Sequence, residues 1–220
     1  MLDDLSLAAD DFVSIDIEGD GNNPPSPVEI CAVEYLKGEP VAVTVWLVNP
    51  GKPMSAFVQT FHGITDKMVA DAPRFEDIAG QVRRTLEGRA VVTYAAKNDM
   101  TMLRTVMPDV DGLPAVVIDA QRMAKSLLPG MSRYRLESVS EALGLKPAVS
   151  GGRGGFHTAQ TDAEMTAAIF LNLLQRIPGT ARQRRHHAGM AQVRPFRQRD
   201  SLHPRRDEDR PPEEGSGFKP

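Results

Sequence analysis

Phe12-Val13-Ser14-Ile15-Asp16-Ile17-Glu18 is a short apolar stretch that ends in two carboxylates two residues apart. A run of this kind predicts a β-strand, in which Asp16 and Glu18 project to the same side, about 6 to 7 Å apart along the chain. Two carboxylates on one face repel each other, and they persist most easily where a divalent cation neutralises them. The alternative is that both acids simply meet solvent at the strand end.

The composition is that of a soluble globular protein. The chain has 220 residues, of which 41% are hydrophobic and 25% charged, which suits one domain with residues left over. No apolar run approaches the roughly 20 residues that span a bilayer, and residues 1–11 lack the basic start of a secretory signal. Cys31 is the only cysteine, which excludes an intramolecular disulfide and a cysteine zinc cluster and is typical of a cytoplasmic protein. We expect Cys31 in the core.

The hydrophobic pattern changes from strand-like to helix-like along the chain. Two β-rich runs, 28–36 and 41–48, follow the first strand and are joined by a hairpin turn at 37–40. Both faces of these runs are apolar, which predicts that they lie within a layered core. Helices and strands then alternate, which indicates an α/β fold, a mixed sheet with helices on its faces. We expect strands at 90–94 and 115–118, and helices at 75–87, 99–107, 120–128 and 136–143 and from a capping Thr161 with Glu164 onward.

Three more ionisable residues stand where the predicted elements meet. Asp99 follows the fourth strand, at a strand-to-helix junction of the kind that faces a common crevice. Asp162 lies in the first turn of the last helix, and His157 precedes it by five residues. Taken singly, each fits a capping Asp or a surface His. A carboxylate at a helix N-terminus can still face a metal, however, so the combination favours a site.

The order and spacing of these residues form a specific pattern. Asp16-x-Glu18, then Asp99, then His157-x4-Asp162 resembles the DEDDh exonuclease superfamily, which includes the proofreading epsilon subunit of bacterial DNA polymerase III, RNase T and oligoribonuclease. Phe61-His62-Gly63-Ile64-Thr65, an ordinary turn when taken alone, is similar to a segment that in many members lies against the terminal nucleotide. The resemblance covers roughly residues 12–174. It implies an RNase H-like mixed five-stranded sheet, a three-strand meander plus two parallel strands, flanked by helices.

The resemblance also implies a metal-dependent nuclease. Two divalent ions, Mg²⁺ or Mn²⁺, would activate water and stabilise the leaving 3′ oxygen. The implied metal ligands are four carboxylates: Asp16, Glu18, Asp99 and Asp162. His157, with a reference pKa of about 6.5, would act as the general base. The implied substrate-binding residues are His62, Gly63, Ile64 and Thr65.

Departures from the family pattern concern the substrate more than the metal ligands. Many members continue the first motif with Thr-Thr-Gly, where this chain has Gly19-Asp20-Gly21 and a Pro-rich insert, and Tyr94-Ala95 replaces a frequent His-Asn pair. The Gly-rich run at 150–155 either lets a loop bring His157 over the substrate or is a plain linker.

We expect a 3′-to-5′ exonuclease that releases nucleoside 5′-monophosphates from single-stranded ends, with DNA as the first candidate. One alternative is an exoribonuclease on short or structured RNA, since sugar choice depends on the space around the 2′ position. The other is a subunit associated with a DNA polymerase, in which nuclease activity is secondary.

The charge changes sign near the C-terminal end of the sequence. Residues 1–178 hold 16 Lys and Arg against 23 Asp and Glu, whereas residues 179–220 hold 10 against 6. We expect a folded exonuclease domain over 1–178 and a disordered tail over 179–220, Arg-rich and then acidic, because apolar residues there are too few to form a core. The Arg residues either contact the phosphates of a long substrate or keep the chain soluble.

Overall fold

The computed structural model describes residues 11–146 and 158–177. The predictions made for His157, for the glycine-rich run at 150–155 and for the tail at 179–220 concern residues outside these ranges. They stay predictions, and so does the domain boundary at residue 178.

Within the described ranges, five strands form one mixed sheet with the order β3-β2-β1-β4-β5. The first three strands are antiparallel neighbours, and β4 and β5 continue the sheet in parallel with β1. The predicted architecture, a three-strand meander plus two parallel strands, is confirmed. The strands are β1 (Asp11–Gly19), β2 (Pro27–Leu36), β3 (Glu39–Leu47), β4 (Ala90–Thr93) and β5 (Val116–Asp119).

Helices cover both faces of this sheet. No described helix combines the length and the apolar character of a membrane-spanning segment. A single 3₁₀ turn at Val110–Gly112 precedes β5. The α-helices of the described ranges are α1 (Ala56–His62), α2 (Asp66–Val69), α3 (Phe75–Leu86), α4 (Lys97–Val106), α5 (Ala120–Leu127), α6 (Leu136–Ala142) and α7 (Ala159–Leu174).

The side chains of β1 alternate between two hydrophobic cores. One face packs against α3 and α4 through Val13, Ile15 and Ile17. On the other face, Phe12 packs with Cys31 of β2 and with Phe170 of α7, its ring centroid 5.1 Å from that of Phe170. Cys31 is fully buried there, as expected. Because strand side chains alternate, Asp16 and Glu18 share this second face and point toward the α7 side of the sheet.

The prediction that residues 28–36 and 41–48 both lie within a layered core is right for β2 and only partly right for β3, whose Val43 and Val45 are partly buried. Trp46 is the one buried residue of β3, and Val41 is 44% exposed. The reason is position, because β3 stands at the end of the strand order and has a neighbour on one side only within the described residues. Apolar residues on both faces of a strand do not reveal whether it is central or at an edge.

The start of α7 also differs from its prediction. The helix begins at Ala159, with Thr158 as its N-cap, and not after Thr161. The Thr158 hydroxyl accepts the Thr161 backbone N–H at 3.2 Å, which places the cap three residues earlier. The predicted box between Thr161 and Glu164 does not form, and Glu164 instead accepts a hydrogen bond from Gln160 at 2.9 Å.

Candidate metal centre

Three carboxylates meet at the C-terminal end of β1. One oxygen from each of Asp16, Glu18 and Asp162 lies within 4.8 Å of the others. Asp162 comes from the first turn of α7. The Ser14 hydroxyl of β1 donates to the Ala163 carbonyl oxygen of α7 at 2.7 Å, so strand and helix are joined beside the cluster. The structure thus gathers three of the five residues that the sequence singles out as catalytic.

Asp99 lies beside this cluster without being one of its three members. It is in the first turn of α4 and is 3% exposed. The Thr93 hydroxyl at the end of β4 and the Ile17 backbone amide both donate hydrogen bonds to its carboxylate. The negative charge of Glu18 is close enough to raise the pKa of Asp99. Asp99 is therefore bonded to the ends of β1 and β4 and lies in the same crevice as the cluster, as expected at the carboxyl ends of neighbouring parallel strands.

Two departures from the family pattern, Gly19 and Ala95, lie in the loops around the cluster. A Cβ on Gly19 would lie 2.7 Å from the sulfur of Met102, so α4 packs where many members carry a Thr side chain. Ala95 adopts a left-handed φ of 58°, a conformation in which Asn is enriched. Asp119, which the sequence pattern did not single out, holds this loop by accepting the Ala96 N–H at 3.2 Å.

The carboxyl groups of Asp16, Asp99 and Asp162 resist ionisation. Burial raises the pKa of Asp16 well above its ordinary value, and the charges of neighbouring acids raise it further. Burial raises the pKa of Asp99 to about 7, although the Thr93 hydroxyl acts in the opposite direction. The pKa of Asp162 rises to about 8, first through burial and then through the charge of Glu18. Close, desolvated like charges of this kind are relieved by a cation.

The donor set fits a hard divalent cation. The Oδ1 atom of Asp162 is buried and has no hydrogen-bond partner among the described residues. A buried polar atom without a partner is costly, and a carboxylate in that position is costlier still. Mg²⁺ and Mn²⁺ prefer carboxylate oxygens as ligands. Asp16, Glu18 and Asp162 are thus the residues that would hold such an ion, with Asp99 next to them.

The raised pKa values lead to a prediction for thermal melting. Unfolded Asp titrates at about pH 3.9, below the folded values of about 7 for Asp99 and about 8 for Asp162. The folded protein therefore binds more protons, and the contribution of these groups to stability, complete below pH 3.9, is lost as the pH rises through 7 and 8. The metal-free protein should accordingly melt at a lower temperature at pH 8 than at pH 6.

Adding Mg²⁺ or Mn²⁺ should raise the melting temperature, and by more at pH 8 than at pH 6, because protons compete with the metal for the carboxylates. Differential scanning fluorimetry at both pH values measures this difference. NaCl at matched ionic strength is the control, since screening alone also weakens carboxylate repulsion. A metal-induced shift of the same size at the two pH values would contradict the coupling.

His62 connects the end of β1 to the helix pair α1 and α2. The residue is 1% exposed, its Nδ1 accepts the Ile64 backbone N–H at 3.0 Å, and its Nε2 lies 3.2 Å from the Gly19 carbonyl oxygen. This pattern places the ring proton on Nε2, which donates to Gly19. Gly63 ends α1 with a left-handed φ of 73°, Ile64 is buried, and Thr65 caps α2. A role of residues 62–65 in substrate binding stays a prediction.

The pattern predicts no helix between residues 49 and 74, yet α1 and α2 lie there. The reason is that α1 has only seven residues, too few for a repeating apolar pattern, and buries only His62. Phe57 and Phe61 on this helix are 77% and 52% exposed and stack with ring centroids 6.2 Å apart. Two aromatic residues at positions i and i+4, just before His62, were the sequence signal for α1. We call the exposed side formed by Phe57 and Phe61 the aromatic face of α1.

Most of the described chain matches one known family, since the model of the exonuclease family covers residues 13–170. The chain belongs to the exonuclease family. The matched span includes all five residues on which the DEDDh resemblance was based, and that resemblance is confirmed.

Two curated relatives contain this exonuclease domain as part of a longer protein. The 3′-5′ exonuclease DinG of Bacillus subtilis is 29% identical over 176 residues, which is 76% of this chain. The PolC-type DNA polymerase III of Thermotoga petrophila is 32% identical over 176 residues, which is 78% of this chain. The chain spans only 18% and 12% of the length of these two relatives.

A solved exonuclease of similar extent has the same architecture. Exonuclease X, in complex with 5′ overhanging duplex DNA, matches with a TM-score of 0.62 and 28% sequence identity. The match covers 74% of this chain and 91% of that one. The predicted RNase H-like fold is therefore confirmed.

Proposed function

We propose that this chain is a metal-dependent 3′-5′ exonuclease that releases nucleoside 5′-monophosphates from single-stranded nucleic-acid ends, with DNA as the preferred substrate. The observation that carries the proposal is the convergence of Asp16, Glu18 and Asp162, whose oxygens lie within 4.8 Å of one another at the end of β1. The relation to DinG, a protein named as a 3′-5′ exonuclease, supports the direction of cleavage. The relation to exonuclease X, solved in complex with 5′ overhanging duplex DNA, supports DNA rather than RNA as the nucleic acid.

The carboxylates would hold two divalent ions, Mg²⁺ or Mn²⁺. When bound, such a pair activates a water molecule and stabilises the leaving 3′ oxygen. Four carboxylates, those of Asp16, Glu18, Asp99 and Asp162, supply the charge for two ions. The Thr93 hydroxyl and the Ile17 amide donate hydrogen bonds to the Asp99 carboxylate and so fix its orientation toward the metal site.

His157 would accept the proton of the attacking water. Its imidazole, with a reference pKa of about 6.5, is largely neutral at pH 7 and can act as a base there. His157 directly precedes Thr158, the N-cap of α7. In the sequence it therefore adjoins the end of α7 that carries Asp162.

The aromatic face of α1 supports single-stranded over duplex substrates. Phe57 and Phe61 are exposed, and Phe61 adjoins His62, which is bonded to the end of β1. Aromatic side chains stack on unpaired bases of any sequence, whereas the bases of a duplex already stack on each other. We propose that this face meets the bases next to the 3′ end while residues 62–65 contact the terminal nucleotide.

A second candidate function is proofreading within a polymerase. The PolC-type DNA polymerase III matches over 78% of this chain, although the chain amounts to only 12% of that protein. A domain of this kind would act on the 3′ end of the primer that its partner polymerase extends. Recovery of a polymerase with the tagged chain would favour this function, and an active chain without such a partner would favour an independent exonuclease.

The test is an activity panel with one sequence as single-stranded DNA, single-stranded RNA and blunt duplex DNA, each labelled at its 5′ end. With Mg²⁺ or Mn²⁺ we expect labelled DNA products that shorten from the 3′ end, slower reaction on the duplex, and no reaction in EDTA. Immediate release of a labelled mononucleotide would mean the opposite polarity. Faster turnover of RNA than of DNA would replace the proposed substrate with RNA.

A further inference from the structure

Glu29 is a buried carboxylate near the cluster that the proposed chemistry does not use. It is 6% exposed and lies directly opposite Glu18 in the antiparallel pairing of β1 with β2. Residues that oppose each other in this way project to the same face of a sheet, and like charges placed there are destabilising. A third acidic side chain on this face, beside Asp16 and Glu18, therefore calls for a structural or functional reason.

Glu29 makes a hydrogen bond with the first residue of α7. The Ala159 backbone N–H donates to the Glu29 carboxylate oxygen Oε2 at 3.0 Å. The first backbone N–H groups of a helix have no partner within the helix, and an acceptor with negative charge is favoured at this end. The Thr158 hydroxyl accepts the Thr161 N–H in the same turn. Glu29 thus fastens the beginning of α7 to the strand that neighbours β1.

This beginning of α7 carries one of the clustered carboxylates. Asp162 is three residues after Ala159, about 4.5 Å along the helix axis at 1.5 Å per residue. The bond from Ser14 to the Ala163 carbonyl holds the next turn, on the other side of Asp162 from Ala159.

We propose that Glu29 is a positioning residue, which fixes the first turn of α7 so that Asp162 comes to the correct distance from Asp16 and Glu18. The inference rests on the proposed nuclease function. Glu29 fixes this turn through the hydrogen bond that its side-chain oxygen accepts, and its negative charge is secondary. A neutral side chain with an oxygen in the same place should therefore serve nearly as well.

The experiment compares Glu29→Ala with Glu29→Gln and measures kcat and KM on a short single-stranded oligomer with Mg²⁺. Glu29→Ala should lower kcat by about 10- to 100-fold, the usual effect of losing a group that orients functional ligands, with KM little changed. Glu29→Gln should recover most of this loss, because the amide oxygen can accept the same Ala159 N–H. Glu29→Met, which fills a similar volume without a comparable acceptor, should behave like Glu29→Ala and replaces it if that variant does not fold.

The matched control is Glu34→Ala. Glu34 is on the same strand as Glu29 and forms an ion pair with Arg89 at 2.9 Å. Neither Glu34 nor Arg89 belongs to the carboxylate cluster. Loss of Glu34 should lower the melting temperature without lowering kcat. If both alanine variants lose activity only in proportion to their loss of stability, Glu29 is structural and the proposal is overturned.

Two other outcomes would also overturn it. If Glu29→Gln is as slow as Glu29→Ala and also loses its metal-induced melting shift, the charge acts directly on the metal and Glu29 belongs to the ligand set. If Glu29→Ala retains full kcat, the Ala159 contact has no part in the reaction. An unmutated protein without nuclease activity would instead refute the proposed function, so failure of the function is distinguishable from failure of the inference.

Discussion

Replacing Asp16 by alanine is expected to abolish hydrolysis while leaving the protein folded. Asp16 is one of the three clustered carboxylates, so its loss removes a ligand from the place where transition-state charge is stabilised. Such stabilisation amounts to several kcal/mol, which corresponds to a rate loss of at least about a thousandfold. Release of mononucleotide from a labelled oligomer at saturating Mg²⁺ measures it.

The same substitution should not lower the melting temperature of the metal-free protein. Asp99, Asp162 and Glu18 all oppose the ionisation of Asp16, so removing this carboxylate relieves repulsion. Asp11→Ala is the matched control on the same strand, because Asp11 is exposed at its far end; this variant should keep full activity. Turnover near that of the unmutated protein in folded Asp16→Ala would refute the assignment of Asp16 as a metal ligand.

The sheet was predictable because its signals are local. Each strand is a short apolar run bounded by turn residues, and the period changes clearly at residue 75. The two-residue turn at Lys37 and Gly38, with φ values of 55° and 75°, joins β2 to β3 close to where the sequence placed it. The edge position of β3 was not predictable, because it depends on which strands pair and not on the composition of β3.

The candidate site was predictable in part, for a similar reason. The two-residue spacing of Asp16 and Glu18 within a strand fixes their common face, and α7 then brings Asp162 to the same end. Glu29 and Asp119 were not singled out, since their roles arise from contacts with Ala159 and Ala96, 130 and 23 residues away in the chain. One signal was present, because Glu29 is an acidic residue within an otherwise apolar part of β2.

His157→Ala is expected to lower the hydrolysis rate by about 10²- to 10⁴-fold, the range for the loss of a general base. The melting shift caused by Mg²⁺ or Mn²⁺ should persist, because the clustered carboxylates that would bind metal remain in place. The rate of the unmutated enzyme should fall as the pH drops through about 6.5, where imidazole becomes protonated. When Mg²⁺ saturates the carboxylates at every pH, so that protons no longer compete for them, the variant should lack this dependence. Rates measured at saturating Mg²⁺ from pH 5.5 to 8 compare the two profiles.

His62→Ala provides the contrast, since the two histidines are predicted to differ in kind. The ring of His62 accepts from Ile64 N–H and contacts the Gly19 carbonyl oxygen, and it is buried. Its loss should lower the melting temperature and raise KM, because α1 and the 62–65 segment would lose their link to β1.

Should His157→Ala instead eliminate the metal-induced melting shift, His157 would be a ligand or a structural residue, and the base would have to be another group.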